Sequence, residues 1–171
     1  DNSVIGIHVF DLKTATTHDI DLGPNKDIYV PRLQWTPNNE VFVHKLNRHQ
    51  NHYELFLVNC NDYRLSKIYD ERNECYIEQA ENVTFLADKQ HFIIKSEKDG
   101  YMNLYKVNMY TKQIDPITSG KYDVDQSCYI DPKSEKIYFT AAQSEAYNRE
   151  LLVVDKKKKV KKISGKTGTY T

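Results

Sequence analysis

Cysteine is scarce in this sequence: Cys60, Cys75 and Cys128 are the three among 171 residues. An odd number with long gaps and no CxxC excludes a disulfide scaffold and a zinc framework. Each is expected to pack as a small apolar residue. Glycine and proline are few as well, six and five, which excludes a fibrous or low-complexity chain. An excess of one charge is missing: 24 basic side chains face 24 acidic ones, and the pI is about 7.2. Nothing in that balance points to nucleic acid, a membrane surface or a strongly acidic partner. No stretch approaches the ~20 apolar residues of a membrane helix. No secretion leader opens the chain, whose first residues, DNSVIGIHVF, already follow a strand pattern. That opening is expected of a fragment from the interior of a longer repeat.

What the chain has is tyrosine, thirteen residues of it. Tyr, Val, Ile, Phe and Thr suit a pleated, half-buried surface, so the composition leans to β-structure. It also has an internal repeat. Four apolar runs close on Asp or Asn: Ile7 to Asp11, Leu55 to Asn59, Leu104 to Asn108 and Leu151 to Asp155. Their first residues lie 48, 49 and 47 positions apart. An Asp or Asn at a strand end bonds its own backbone and begins a turn. A short polar turn and a second strand follow each run. The last three runs are also preceded by matching segments: RLQWTPNNEVFVHKL, NVTFLADKQHFIIKS and SCYIDPKSEKIYFTA. Their turns (Pro37-Asn38-Asn39, Ala87-Asp88-Lys89 and Asp131-Pro132-Lys133-Ser134) carry the appropriate breakers.

One unit is therefore strand, turn, strand, loop, strand, turn, strand. Four short antiparallel strands in just under fifty residues make a β-propeller blade. Helical repeats of similar length fail on pattern, since no 3.6-residue amphipathic stretch occurs. The predicted fold is all-β: a partial β-propeller of about three four-stranded antiparallel blades plus the outer half of a fourth, not closed. Residues 1–23 are the half blade. Whole blades run over 27–73, 76–119 and 121–165, and 166–171 start the next. Open strand edges at both ends invite self-association unless another chain covers them.

Several motifs compete for a functional reading. Ser164-Gly165-Lys166-Thr167 looks like the end of a phosphate loop, but position 160 is Val where the motif needs Gly, and a blade-connecting turn explains it. His44, His49 and His52 invite a metal reading, yet no Asp or Cys accompanies them at a ligand spacing. They fall on a strand end and the following loop. The basic run from Lys156 to Lys159, with Lys161 and Lys162, falls on an outer hairpin and reads as a solvated edge that resists strand pairing. Asn82-Val83-Thr84 is a glycosylation sequon, informative only in a eukaryotic secretory protein. Asp99-Gly100 suits a tight turn with positive φ. Asn51, Asn103 and Asn148 precede equivalent strands and are expected to make one repeated structural bond. Neither GxSxG nor a Gly-rich dinucleotide fingerprint is present.

The segments SEKDGYMNLY, ITSGKYDV, IYFTAAQSEAYNRELL and YVPRLQWTPNNEVFVHKLNRHQNHYELF, in that family's order, resemble the N-terminal propeller domain of the dipeptidyl peptidase IV family of serine exopeptidases, and its bacterial members in particular. The resemblance implies a full-length protein that joins an eight-bladed propeller to a C-terminal α/β-hydrolase domain. Such a protein removes X-Pro or X-Ala dipeptides from peptide N-termini. The Ser/Asp/His triad belongs to the hydrolase domain. The glutamate pair and the arginine that hold the substrate amine lie upstream of the segments matched here, and this sequence has no Glu-Glu pair. The chain itself is thus expected to contribute no catalytic residue, metal or cofactor, and to frame the cavity and limit substrate access. The loop ERNECYIEQAENVTF stands where some relatives extend the substrate pocket, which makes Tyr76, Ile77 and Glu78 the candidates for lining the cavity. Expected partners are the hydrolase domain, the remaining blades, peptide substrate, and a second copy through the open edges. The expected location is the periplasm or cell envelope. The alternative is a stand-alone propeller-type protein-binding scaffold of the cell envelope.

Overall fold

The computed structural model describes residues 3–78, 82–165 and 168–170. Residues 166, 167 and 171, within the expected start of a further blade, and the Lys166 and Thr167 of the phosphate-loop comparison lie outside them. So does the side chain of Cys128.

The described residues form strands and turns alone. The first two strands, β1 (Ile7–Asp11) and β2 (Thr16–Ile20), make an antiparallel pair. The next four, β3 (Ile28–Trp35), β4 (Val41–Asn47), β5 (His52–Val58) and β6 (Leu65–Arg72), form an antiparallel meander in the order β3-β4-β5-β6. A second meander joins β7 (Thr84–Phe85), β8 (His91–Ser96), β9 (Asn103–Asn108) and β10 (Ile114–Pro116). A third joins β11 (Val124–Ile130), β12 (Ile137–Ala141), β13 (Glu150–Val154) and β14 (Val160–Lys162). One two-stranded and three four-stranded sheets are what the repeat demanded. The chain divides into two compact units, residues 1–82 with the first two sheets and residues 83–171 with the other two.

The turns explain why the chain reverses where it does. Asp11 Oδ1 accepts the N–H of Lys13 at 2.7 Å, and Asn59 Oδ1 that of Asn61 at 2.8 Å. Asn108 Oδ1 accepts the N–H of Tyr110 at 2.9 Å, and Asp155 Oδ1 that of Lys157 at 2.9 Å. Each side chain holds the turn after the third strand of its blade, as the sequence pattern led one to expect. A residue in the left-handed region then completes each reversal: Ala15 (φ 53°), Tyr63 (φ 59°), Lys112 (φ 63°) and Lys158 (φ 61°). The earlier turn of each whole blade does the same at Asn39, Lys89 and Glu135. Gly100 sits at φ 93° and donates its N–H to the Glu97 carbonyl at 2.7 Å, as the Asp-Gly pair suggested.

Middle strands are buried on both faces. Phe42, Val43 and His44 are consecutive and buried, as are Phe92, Ile93 and Ile94. Successive side chains on a strand point to opposite faces, so these strands are sandwiched. The first unit gathers its core from Ile7, Ile20, Ile28, Val43 and Val58. The second gathers Ile93, Leu104, Val124, Phe139 and Leu152. Both cores join residues of two sheets, which is why a single blade would not hide its apolar faces alone.

Two expectations need correcting. Cys75 is an exposed free thiol in the loop after β6 and not a buried apolar residue, whereas Cys60 is half-buried. The bonds of Asn51, Asn103 and Asn148 are also not one repeated device. Asn51 Oδ1 accepts from Asn47 Nδ2 at 2.8 Å, while Asn103 Oδ1 accepts from the Thr118 hydroxyl at 2.8 Å. Asn148 enters through its backbone N–H, which donates to the Glu145 carbonyl. The loops differ in length, so the same residue type finds a different partner in each.

Asn108 gives a direct test of the turn device, because its amide oxygen serves both the Tyr110 and Thr111 N–H groups. Asn108→Ala leaves those donors without their acceptor and is expected to cost roughly 1–3 kcal/mol in urea unfolding. Asn108→Asp, which keeps the oxygen, should cost clearly less.

Candidate functional site

The segment that carries Tyr76, Ile77 and Glu78 follows β6, and backbone bonds tie it to the turn between β4 and β5. The Asn73 N–H donates to the Asn51 carbonyl at 3.0 Å, and the Ile77 N–H to the Gln50 carbonyl at 2.8 Å. The receiving turn is itself rigid. Gln50 stands at φ 53°, and Asn47 Oδ1 accepts the N–H groups of Asn51 and His52, both at 3.0 Å. Cys75 N–H is taken by Asn73 Oδ1 at 3.0 Å. The segment is therefore a braced arm.

The three candidate residues have different exposures. Ile77 is buried, at 5% exposure, and acts as the anchor of the arm. Tyr76 is exposed, at 59%, and Glu78 is exposed as well. The surface this arm offers to a ligand comes from a phenol and a carboxylate on either side of the anchor. A peptide would meet an aromatic face and an acceptor for an N–H or ammonium group there.

The histidine cluster behaves differently from its appearance in the sequence. His44, His49 and His52 do not converge. His49 is exposed in the turn, and His44 is buried, with Nδ1 bonded to the Tyr53 hydroxyl at 2.9 Å. Burial, reinforced by the Arg32 charge, lowers the His44 pKa to about 4, so the ring is neutral at pH 7. Arg32 stands directly opposite His44 in the β3–β4 ladder, and Glu71 directly opposite Tyr53 in the β5–β6 ladder. The Tyr69 hydroxyl donates to Glu71 Oε2 at 2.7 Å. A polar seam thus crosses this blade beneath its surface. Burial and the Glu71 carboxylate together push the Tyr53 phenol above its ordinary range.

His52 instead finds carboxylates that the linear reading did not supply. Its Nε2 lies 3.2 Å from Asp70 Oδ1, and Glu54 completes a group whose donor atoms fall within 4.8 Å of one another. Glu54 and Asp70 are cross-strand partners, and His52 shares their face because it lies two residues before Glu54. The absence of a nearby carboxylate, argued from the sequence, is corrected on this point. Two ammonium groups already balance this cluster, however. Lys67 Nζ is 2.6 Å from Asp70 and 3.1 Å from Glu54, and Lys45 Nζ is 3.1 Å from the other Glu54 oxygen. Burial raises Glu54, but Lys45 and Lys67 outweigh it and hold the carboxyl below its ordinary value. Burial likewise raises Asp70, and Lys67 and His52 reverse it. The position a cation would take is held by Lys67, and the cluster reads as a self-neutralised brace between β5 and β6.

The basic run is also partly engaged. Lys156 pairs with Glu135 at 3.0 Å, and Lys162 pairs with the fully buried Glu150. Ser144 donates its N–H to Glu150 Oε2 at 2.9 Å and its hydroxyl to Oε1, the oxygen that Lys162 also contacts, at 2.6 Å.

These geometries set the response to acid. The unfolded chain protonates His44 near its ordinary value of 6.5, while the folded chain resists until about 4. The unfolded state therefore binds more protons in that window, and stability falls as pH drops through it. Glu54 and Asp70, depressed in the fold, add a further loss at lower pH as they are protonated. Urea titrations across pH should show both phases. His44→Leu should flatten the upper one even though it lowers overall stability, and Asp70→Asn should flatten the lower one.

Comparison with known proteins agrees with this architecture. Residues 1–170 match the family model described as dipeptidyl peptidase IV (DPP IV) N-terminal region. The mouse inactive dipeptidyl peptidase 10 is 24% identical over 165 residues, which are 88% of this chain and 21% of the mouse protein. The probable dipeptidyl peptidase 4 of Arthroderma benhamiae is 21% identical over 168 residues, 93% of this chain and 22% of that protein. The crystal structure of Porphyromonas gingivalis dipeptidyl peptidase 4 superposes with a TM-score of 0.90 at 27% identity, covering 98% of this chain and 24% of that one. The fold class is thereby that of a partial β-propeller. The chain spans between a fifth and a quarter of the length of these relatives.

Proposed function

This chain belongs to the dipeptidyl peptidase IV N-terminal family, and from that premise we propose that it is a non-catalytic propeller segment of a dipeptidyl peptidase IV-like serine exopeptidase. The observation that carries the proposal is the family match over residues 1–170, supported by the 0.90 TM-score to a dipeptidyl peptidase 4. The segment frames the cavity beside a C-terminal α/β-hydrolase domain and restricts access to thin, unfolded peptides. The parent then cleaves X-Pro or X-Ala dipeptides from peptide N-termini. Its triad and its amine-binding carboxylates come from outside these residues, since this sequence contains neither GxSxG nor a Glu-Glu pair. The periplasm or cell envelope is the location that fits this role.

Within the segment, Tyr76 and Glu78 supply the cavity-facing surface and Ile77 anchors it. The braced arm supports this assignment, because a lining residue must hold its position to discriminate between substrates. Loops carried on a rigid scaffold are where binding residues concentrate.

Two measurements test the reading. The purified chain should hydrolyse no Gly-Pro or Ala-Pro anilide, and serine-inhibitor-sensitive turnover by it would overturn the non-catalytic role. In the full-length protein, Tyr76→Ala and Glu78→Gln should raise KM for peptides longer than a dipeptide by roughly threefold to tenfold, with kcat nearly unchanged, as loss of uniform binding requires. An unchanged KM across peptide lengths would remove these residues from the cavity wall.

A further inference from the structure

The second unit gathers charge that the neutral total of the chain conceals. Eight of the 24 basic side chains fall between Asp131 and Lys136 and between Asp155 and Lys162, and only three of the 24 acidic ones do. That leaves sixteen basic against twenty-one acidic side chains elsewhere. All eight of the basic residues in these two stretches are lysines.

The β-ladders bring the two stretches together. Ile130 stands opposite Ile137, and Ile137 opposite Val154. The turn after β11 and the turn after β13 therefore leave the sheet at the same end, in neighbouring positions. Two strand widths span about 10 Å, about the screening length at ~0.1 M salt, so the fields of the two turns add. Both turns are fixed by their aspartates. Asp131 accepts the Lys133 N–H at 3.1 Å, and Asp155 accepts those of Lys157 and Lys159, both at 2.9 Å.

Two of the eight ammonium groups are committed, Lys156 to Glu135 at 3.0 Å and Lys162 to the buried Glu150. Among the described residues, no carboxylate is in ion-pair contact with Lys133, Lys136, Lys157, Lys158, Lys159 or Lys161, and all six are exposed. Asp131 and Asp155 set two carboxylates against these six ammonium groups, and the excess remains positive. Beside the turns lies a groove of about 500 Å³ between the β7–β10 and β11–β14 sheets, with an aliphatic floor of Leu86, Ile117, Ile130 and Ile137. Its lining holds five carboxylates and three lysines, so the recess itself repels a phosphate. Lys133, Lys136, Lys157 and Lys159 stand outside that lining. An acidic recess with a basic rim suits an extended anionic plane and not a single anion held in a pocket.

We propose that this end of the second unit docks on the surface of an anionic phospholipid membrane. Each lysine is a compact charge on a flexible four-carbon stem, so the six can reach a common plane of headgroup phosphates. Nucleic acid is the poorer fit. Neither stretch contains an aromatic residue on which a base could stack, or an arginine to grip a phosphate or a guanine edge. The acidic remainder of the chain is repelled by such a surface, which selects this end for contact. The proposal is independent of the peptidase reading, since vesicle binding and anilide hydrolysis are separate readouts.

Cosedimentation of the full chain with phosphatidylcholine vesicles, with and without phosphatidylglycerol, tests it. The chain should pellet only with the phosphatidylglycerol vesicles, and raising the salt from about 0.1 M to about 0.5 M should weaken binding at least about tenfold. Lys157→Gln with Lys159→Gln, or Lys133→Gln with Lys136→Gln, should each weaken it roughly tenfold or more, at about fivefold per lysine. These changes leave the backbone N–H groups of the turns in place. Lys13→Gln with Lys121→Gln removes the same charge outside the two stretches and should alter binding by less than about twofold. Inorganic phosphate should compete no better than chloride at equal ionic strength. Equal pelleting with neutral vesicles, the same loss in the Lys13 and Lys121 variant, competition by phosphate beyond its ionic strength, or tighter binding to duplex DNA than to anionic vesicles would each overturn the assignment.

Discussion

The third strand of every blade ends in an Asp or Asn whose side-chain oxygen takes a backbone N–H two residues further on, at 2.7 to 2.9 Å in all four cases. The outer half of each blade depends on that bond. It reverses the chain within four or five residues and delivers a left-handed residue that matches the twist of the returning strand. The return then sets the register of the outermost strand. A one-residue slip there would move each side chain to the opposite face of the sheet. The pairing of Glu54 with Asp70, and of Tyr53 with Glu71, rests on the turn that Asn59 begins and on the one-residue register shift between Leu55 and Phe56 that follows it.

This dependence explains why the architecture was legible and the clusters were not. A turn residue acts on its own neighbours, so Asp11, Asn59, Asn108 and Asp155 announce themselves at a fixed spacing in the linear sequence. The apolar runs before them are legible for the same reason. Cross-strand relations are not local. His52 looked like one of three neighbouring histidines, and in the fold it belongs with Glu54 and with Asp70, eighteen residues away. His44, two residues outside the β4–β5 turn in register, turns inward to Tyr53. Alternation on a strand sent them to different surroundings, a step that requires the register to be known first.

The candidate arm shows a similar division. The sequence located the segment Tyr76, Ile77 and Glu78 by resemblance to a family. It did not reveal that Ile77 is buried as an anchor while its neighbours stay exposed, nor that Gln50 and Asn51 hold the arm by their carbonyls. Backbone carbonyls carry no residue signature, so an anchoring bond of this kind leaves no trace in composition or spacing.

The groove of the second unit follows from the turn device as well. Asp88, Asp131 and Asp155 stand at its edge because turns need them, and their carboxylates are occupied by backbone N–H groups. The turns supply a rigid frame at this rim. Side chains at this rim are thus open to change without disturbing the strand pairing beneath, the condition under which a binding specificity is added to a repeat scaffold.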